Sequence, residues 1–140
     1  MIVDANVLLY AVNAESLHHE PSRSWLDRSL AGAEAVGLAW VALLAFVRIG
    51  TNAEILPTPM TVDEATDQVE RWLGAPAAVV VEPTARHVGL LRGLLRGAGT
   101  AGNLTTDAHL AALAIEHGAE VVSYDRHFAR LEGVRHRLPA

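Results

Sequence analysis

The sequence predicts an α/β fold in which a mainly parallel sheet is flanked by helices on both faces. Short apolar runs alternate with longer segments of helical periodicity along the 140 residues, as is typical of βαβ units. Three aspartates, Asp4, Asp107 and Asp125, stand where such a strand ends or a helix begins. No internal repeat or linker interrupts the pattern, so residues 1–140 are expected to form one domain.

The N-terminal part of the chain is predicted to form one strand followed by two helices. Residues 1–4 are an apolar run without alternation, which indicates a strand buried on both faces. A helix over residues 6–13 follows. Pro21 suits the first turn of a second helix, which is expected to run to about Leu30 and to end before Gly32.

The middle of the chain is predicted to contain a second strand, a buried helix and a capped helix. Residues 35–38 read as the strand, and residues 40–50 are apolar at nearly every position, as expected of a buried helix. After a proline-marked loop, Thr61 and Glu64 match a capping box, in which each side chain bonds to the other residue's backbone N–H. The capped helix is expected to end near Leu73.

The C-terminal part is predicted to contain three further strands and two helices. β-Branched residues favour a strand at residues 77–81 and a helix over residues 84–96 follows it. The glycine-rich stretch 97–102 is expected to be a flexible loop at the mouth of a site. The remaining elements are a helix over residues 107–117 that Gly118 ends, and strands at residues 120–124 and 134–138.

The composition excludes several kinds of chemistry. The chain has no Cys, which excludes disulfides, zinc–thiolate sites and thiol catalysis. All eleven basic residues are Arg, so a Walker A loop and a Schiff-base lysine are excluded as well. The net charge of −5 argues against a non-specific nucleic-acid binder. Without a signal segment or a membrane span, a cytoplasmic protein with no membrane partner is expected.

The three aspartates together predict a site for a hard divalent cation. In open parallel sheets, ligands bind beyond the carboxyl ends of the strands. Carboxylates collected there repel one another unless a cation such as Mg²⁺ or Mn²⁺ joins them. Taken singly, each residue also has a structural interpretation: Asp4 and Asp107 suit helix N-termini, and Asp125 suits a turn.

Three motifs, in order and spacing, resemble those of PIN-domain ribonucleases. The opening motif runs from Met1 to Tyr10 and includes Asp4-Ala5-Asn6, the helix motif runs from Asn103 to Ala114, and the last is Val122-Ser123-Tyr124-Asp125-Arg126-His127-Phe128. Within that family, the size of the chain and residues 40–51 are most similar to the VapC toxins of VapBC toxin–antitoxin pairs.

The resemblance implies a three-layer α/β/α PIN-like fold and an endoribonuclease that hydrolyses RNA with Mg²⁺ or Mn²⁺. In such enzymes the metal activates a water molecule for in-line attack on the phosphodiester. The implied metal ligands and catalytic residues are Asp4, Asp107 and Asp125. The side chains implied to orient those ligands are Asn6, Asn103, Thr106 and Ser123.

The chain departs from the family pattern at two positions. Ala45 stands where the family usually has a metal-binding Glu, so that ligand is either missing or supplied by a residue such as Glu54 or Glu15. His127 stands where many members have a second Asp. A histidine there is either a surface residue or a ligand that favours Mn²⁺ over Mg²⁺. Both changes bear on metal preference and activity and leave the predicted fold untouched.

Several arginines are candidates for contact with an RNA backbone, although a solvated helix face is the alternative for each. The candidates are Arg92, Arg96 and Arg126, with Arg86 and Arg130 near them. The pair His18 and His19 is interpreted as a surface loop, because no partners lie at metal-ligand spacing. The tryptophans are expected in the core or an interface rather than in base-stacking platforms, and they are Trp25, Trp40 and Trp72.

The resemblance further implies a homodimer and a VapB-type antitoxin whose C-terminal segment covers the active-site groove. Two alternatives stay open. One is a catalytically silent PIN-like domain that acts as a protein-binding module. The presence of Ala45 in place of the usual Glu supports this alternative. The other is a phosphotransfer enzyme built on Asp4, which the lack of Lys and the presence of Asn6 in place of a second Asp disfavour.

Overall fold

Five parallel strands form one sheet in the order β3-β2-β1-β4-β5. The structure is a computed structural model that describes residues 1–99 and 102–140, apart from the side chain of Asn103. The strands are β1 Ile2–Val3, β2 Val36–Leu38, β3 Ala78–Val80, β4 Val121–Val122 and β5 His136–Arg137. The helices are α1 Ala5–Val12, α2 His19–Leu30, α3 Trp40–Gly50, α4 Val62–Leu73, α5 His87–Ala98 and α6 Thr105–Glu116.

Two apolar clusters lie on opposite faces of the sheet. Neighbouring strand residues point to opposite faces, and accordingly Val3 joins one cluster while Ile2 joins the other. The first cluster is built with α1 to α4 and includes the edge-on pair of Phe46 and Trp72, whose ring centroids lie 4.7 Å apart. The second cluster packs α5 and α6 with Phe128. The predicted three-layer α/β/α architecture is therefore confirmed.

The pairing of β1 with β4 brings the first and last sequence motifs together. Ile2 lies beside Val121 and Val3 beside Val122, and the Asp4 amide donates to the carbonyl oxygen of Val122 at 3.0 Å. The residues that follow these two central strands therefore emerge side by side at one edge of the sheet. The helix α6 packs on both strands.

A polar network joins α5 to α6. The buried Glu116 carboxylate accepts from Nδ1 of His87 at 2.7 Å and from the backbone amide of Thr84 at 2.9 Å. The other ring nitrogen of His87 lies 2.9 Å from Nδ1 of His109. Burial opposes ionisation of Glu116, but the hydrogen bonds from Thr84 and His87 outweigh it and lower the pKa of Glu116. The network holds α6 against α5.

Several predicted boundaries are corrected by the structure. The helix α2 begins at His19, two residues before Pro21, and the ring of His19 bonds to the carbonyl of Tyr10 at 2.9 Å, so His19 is not a loop residue. The helix α5 begins later than predicted and extends to Ala98, where Gly99 ends it with a φ of 75°. The predicted loop 97–102 is therefore partly helical, and residues 100–101 lie outside the described residues.

The burial of α3 is only partly as predicted. Its side toward the sheet is buried, but Trp40 and Leu44 are 46% and 60% exposed. Trp25 and Trp72 lie in the core as expected. The prediction of a fully buried helix was therefore wrong for Trp40 and Leu44. Arg48, which stands four and eight positions after Leu44 and Trp40, is exposed as well and marks the same side of the helix. Within the described ranges, no helix is long and apolar enough to cross a membrane.

Candidate metal centre

Asp4 is held at the end of β1 by two hydrogen bonds to its carboxylate. One oxygen, Oδ1, accepts from the Ala5 amide at 2.7 Å and caps α1. The other, Oδ2, accepts from the hydroxyl of Ser123 at 2.7 Å. Asp4 therefore caps α1, which was one of its two predicted roles, and its carboxylate also contacts Ser123 after β4. Each carboxylate oxygen keeps lone-pair capacity for a cation.

Ser123 and Asn6 form a frame around this carboxylate. The Asn6 amide nitrogen donates to Ser123 Oγ at 3.0 Å and approaches Asp4 Oδ2 at 3.4 Å. The Asn6 oxygen accepts from the backbone amide of Tyr124 at 3.2 Å. Ser123 is fully buried and also accepts from the Asp125 amide at 2.9 Å. The frame fixes the chain segments that carry two of the predicted metal ligands.

Asp125 follows this frame directly. Its Oδ1 accepts from the His127 amide at 2.9 Å and so begins a 3-10 turn over Arg126–Arg130. The His127 ring lies 3.7 Å from the same oxygen, and the ring is more than half exposed. Asp125 thus fills the turn role that the sequence allowed, and its second oxygen remains available for a cation.

Charge repulsion links Asp107 to the other two aspartates. Burial, followed by the charges on Asp4 and Asp125, raises the pKa of Asp107 to about 6. Burial likewise raises the pKa of Asp4, against the hydrogen bonds from Ser123 and Ala5, and the charge on Asp125 adds to the rise. The three predicted carboxylates therefore share one electrostatic environment, and a cation would relieve their repulsion.

Ala45, at the position of the missing acidic residue, faces a cavity that none of the three aspartates lines. Ala45 and Thr106 line the same cavity of about 500 Å³ between α3 and the start of α6. Thr106 is exposed there. Glu15 and Glu54 are exposed loop residues whose carboxylates are absent from the charges that act on Asp4 and Asp107. Neither Glu is thus drawn into the aspartate cluster as a substitute.

The donor set fits a hard cation by its chemistry. The three electrostatically coupled groups are carboxylates, whose oxygens are the ligands that Mg²⁺ and Mn²⁺ prefer. Across residues 1–99 and 102–140, no three His, Asp or Glu side chains stand close enough together to enclose a metal ion.

The remaining predicted site residues are Asn103, Arg92, Arg96 and Arg126. The side chain of Asn103 lies outside the described residues. Arg126 is exposed beside Asp125. Arg92 and Arg96 are exposed on α5, and the structure gives neither a link to the aspartates.

Sequence reasoning missed His136 on β5. Its ring lies 2.9 Å from the carbonyl oxygen of Ser123, and its charge lowers the pKa of Asp4. The parallel pairing of β4 with β5 brings it there. No local motif surrounds His136 in the sequence, so only the strand order could have revealed it.

We predict that Asp107→Asn stabilises the metal-free protein at pH 7. Because folding raises the pKa of this acid, its ionisation costs stability as pH rises from the unfolded value of 3.8 to about 6. The substitution removes that cost, for an expected gain of about 1 kcal/mol after solvent screening. Urea denaturation in EDTA at pH 4 and pH 7 measures it, and the gain should shrink at pH 4. An equal or lower stability at pH 7 would contradict the electrostatic coupling.

Comparison with known proteins identifies relatives over the full length. Residues 1–134 match the family model described as PIN domain. The chain is 57% identical to ribonuclease VapC37 of Mycobacterium tuberculosis over 99% of this chain and 96% of that protein. It is 38% identical to ribonuclease VapC33 of the same species, over 96% and 94%.

Solved structures share the fold at low sequence identity. VapBC2 from Rickettsia felis, solved with a DNA fragment from its promoter, has a TM-score of 0.70 and 18% identity over 98% of this chain and 96% of that one. FitAcB from Neisseria gonorrhoeae has a TM-score of 0.67 and 22% identity over 99% and 96%. By sequence and by fold, the chain belongs to the PIN-domain family and, within it, to the VapC ribonucleases.

Proposed function

We propose that this protein is the toxin of a type II toxin–antitoxin pair and acts as a metal-dependent endoribonuclease. The observation that carries the proposal is the electrostatic coupling of Asp4, Asp107 and Asp125 at the edge where β1 and β4 end. Carboxylates so arranged suit a cation that acts on phosphodiesters. Membership of the VapC ribonucleases makes RNA the substrate in this proposal.

In the proposed mechanism the three aspartates bind Mg²⁺ or Mn²⁺. The ion, when bound, activates water and stabilises the charge that develops on the scissile phosphate. Ser123 donates to Asp4, and Asn6 donates to Ser123, so the Asp4 carboxylate keeps one orientation while substrate enters. Such supporting hydrogen bonds raise both the precision and the affinity of a metal site.

Phosphate contacts are assigned to arginines in this proposal. Arg126 follows Asp125 directly and is exposed, so its guanidinium can reach a phosphate next to the site. Arg92 and Arg96 on the exposed side of α5 are candidates for a more distant part of the strand. The overall charge of −5 makes such local cations the main electrostatic attraction for RNA.

The proposed protein partners are a VapB-type antitoxin and a second copy of the chain. Two of the structurally similar proteins were solved as VapBC complexes bound to DNA, from Rickettsia felis and from Salmonella typhimurium. Trp40 and Leu44 are exposed on α3, and Leu44 lines the cavity beside Thr106. Exposed apolar side chains at a cavity next to a charged site suit an antitoxin segment that covers that site.

A silent PIN-like domain that only binds a partner is the second candidate. Ala45 favours the silent domain, because Ala in place of the usual Glu leaves the cavity between α3 and α6 without a carboxylate. Three aspartates nevertheless remain, and the pKa values of two of them are raised, first by burial and then by neighbouring carboxylates. Catalysis with a weakened metal affinity is therefore the better-supported of the two functions.

We predict that Asp4→Asn abolishes metal-dependent RNA cleavage. The amide keeps an oxygen for the Ala5 cap but loses the charge that binds the cation, so the rate should fall by at least about 100-fold. The measurement is cleavage of a mixed RNA pool by wild type and variant with Mn²⁺, Mg²⁺ or EDTA. Asp67→Asn, an exposed change on α4, is the matched control and should cleave like wild type.

Two outcomes of that assay would contradict the proposal. Undiminished cleavage by Asp4→Asn would remove Asp4 from the site. An inactive wild type with both metals, together with no Mn²⁺-induced rise in melting temperature, would favour the silent domain, since a ligand of the native state raises stability by mass action.

We further predict that Ala45→Glu increases cleavage in Mg²⁺. The new carboxylate would enter the cavity that Ala45 shares with Thr106 and add an oxygen ligand near Asp107. Cleavage at limiting Mg²⁺ should rise by about tenfold, the scale that one supporting metal contact contributes. Ala53→Glu adds the same charge at an exposed loop position and should change nothing. Equal rates for both variants would mean that position 45 lies outside the metal's reach.

A further inference from the structure

Three aromatic rings from separate chain segments form a cluster beside the candidate metal centre. The imidazole of His18 stacks on the ring of Tyr124 with centroids 4.3 Å apart and planes 26° from parallel. Tyr10, near the end of α1, meets the Tyr124 ring edge-on at 5.3 Å. His18 itself immediately precedes α2. The stack therefore joins both N-terminal helices to the segment that follows β4.

Two hydrogen bonds fix the position of Tyr124 in the stack. Its hydroxyl lies 2.8 Å from Ser22 Oγ, and Ser22 is fully buried on α2. Its backbone amide donates to Asn6, the same side chain that approaches Asp4. The position of the Tyr124 ring is thus fixed by the frame that orients the aspartates.

His18 is the exposed member of the cluster, and its ring contributes aromatic contacts with Tyr124 and Tyr10. Five of the seven histidines use a ring nitrogen in a hydrogen bond, namely His19, His87, His109, His117 and His136. In the described part of the chain, no hydrogen bond reaches either ring nitrogen of His18. One face of its ring covers Tyr124, and the residue as a whole is exposed.

We propose that the outer face of His18 stacks on one base of the RNA strand, close to the phosphodiester that is cleaved. This inference rests on the proposed ribonuclease function. The Tyr124 backbone amide donates to Asn6, whose amide nitrogen approaches Asp4 at 3.4 Å, so the stack is connected to the aspartate cluster through this side chain. Aromatic rings that extend a stack are the usual protein contact for unpaired bases.

A nucleic-acid base fits this surface better than a protein segment does. The exposed feature is a flat ring in an existing stack, and every base offers a π-face to continue it. Stacking also suits a single-stranded substrate, whose bases are free to turn outward. Leu17, the residue before His18, is 96% exposed, and an apolar protein segment would use this side chain as much as the ring. Separate substitutions of Leu17 and His18 therefore distinguish a bound base from a bound protein segment.

The test is a double-mutant cycle that combines removal of the His18 ring with removal of single bases from the substrate. Single-stranded RNA oligonucleotides that wild type cleaves in Mn²⁺ are compared with copies that each lack one base near the cleaved bond. His18→Ala should raise KM by about tenfold and leave kcat within about twofold, because stacking contributes to binding. Removing the stacked base should raise KM equally in wild type and should have no further effect in His18→Ala.

Two further variants control for shape and surface. His18→Phe keeps a flat ring and should retain a KM close to that of wild type. Leu17→Ala removes an exposed apolar side chain from the same loop and should leave KM unchanged. If His18→Phe behaves like His18→Ala, or if Leu17→Ala raises KM as much, the stacking proposal is overturned.

The outcomes also separate this inference from the proposed function. Cleavage by wild type with an unchanged KM in His18→Ala would overturn the stack alone. Additive effects on KM of removing the ring and of removing each base would also overturn the stack. No metal-dependent cleavage of RNA by wild type would overturn the ribonuclease function, and the base-stacking role would fall with it.

Discussion

The hydroxyl of Ser123 is the contact on which the candidate site depends. This buried group donates to Asp4 and accepts from the amides of Asn6 and Asp125, so one oxygen ties together the segments that follow β1 and β4. An unpaired hydroxyl at this depth would be costly, whereas here all of its capacity is used. The parallel pairing of two very short central strands is what makes that contact geometrically available.

The frame holds like charges together against their repulsion. Burial and neighbouring charges raise the pKa of both Asp4 and Asp107, so the folded chain stores an electrostatic cost that a cation would remove. In this view stability and function are linked at the same residues. Ala45 contributes no carboxylate to the cavity that it lines with Thr106, so it adds nothing to this repulsion.

Much of this arrangement could be predicted from sequence because its signals are local. A strand that ends in Asp4-Ala5-Asn6, and another that ends in Ser123-Tyr124-Asp125, identify the sheet edge and its polar residues without any knowledge of packing. The exposed side of α3 was missed because a single charged residue, Arg48, marks it in an otherwise apolar helix. Contacts such as His18 on Tyr124 depend on segments more than 100 residues apart, and no local pattern reports them.

In the proposed function, the three aspartates jointly hold a divalent cation. Anomalous diffraction from crystals grown with Mn²⁺ tests it most directly, since the signal locates the ion independently of activity. We expect a strong peak within coordination distance of an oxygen of Asp4, which Asp107 or Asp125 would also bind, directly or through water. Mn²⁺ peaks elsewhere with none at this cluster, in crystals at neutral pH, would contradict it.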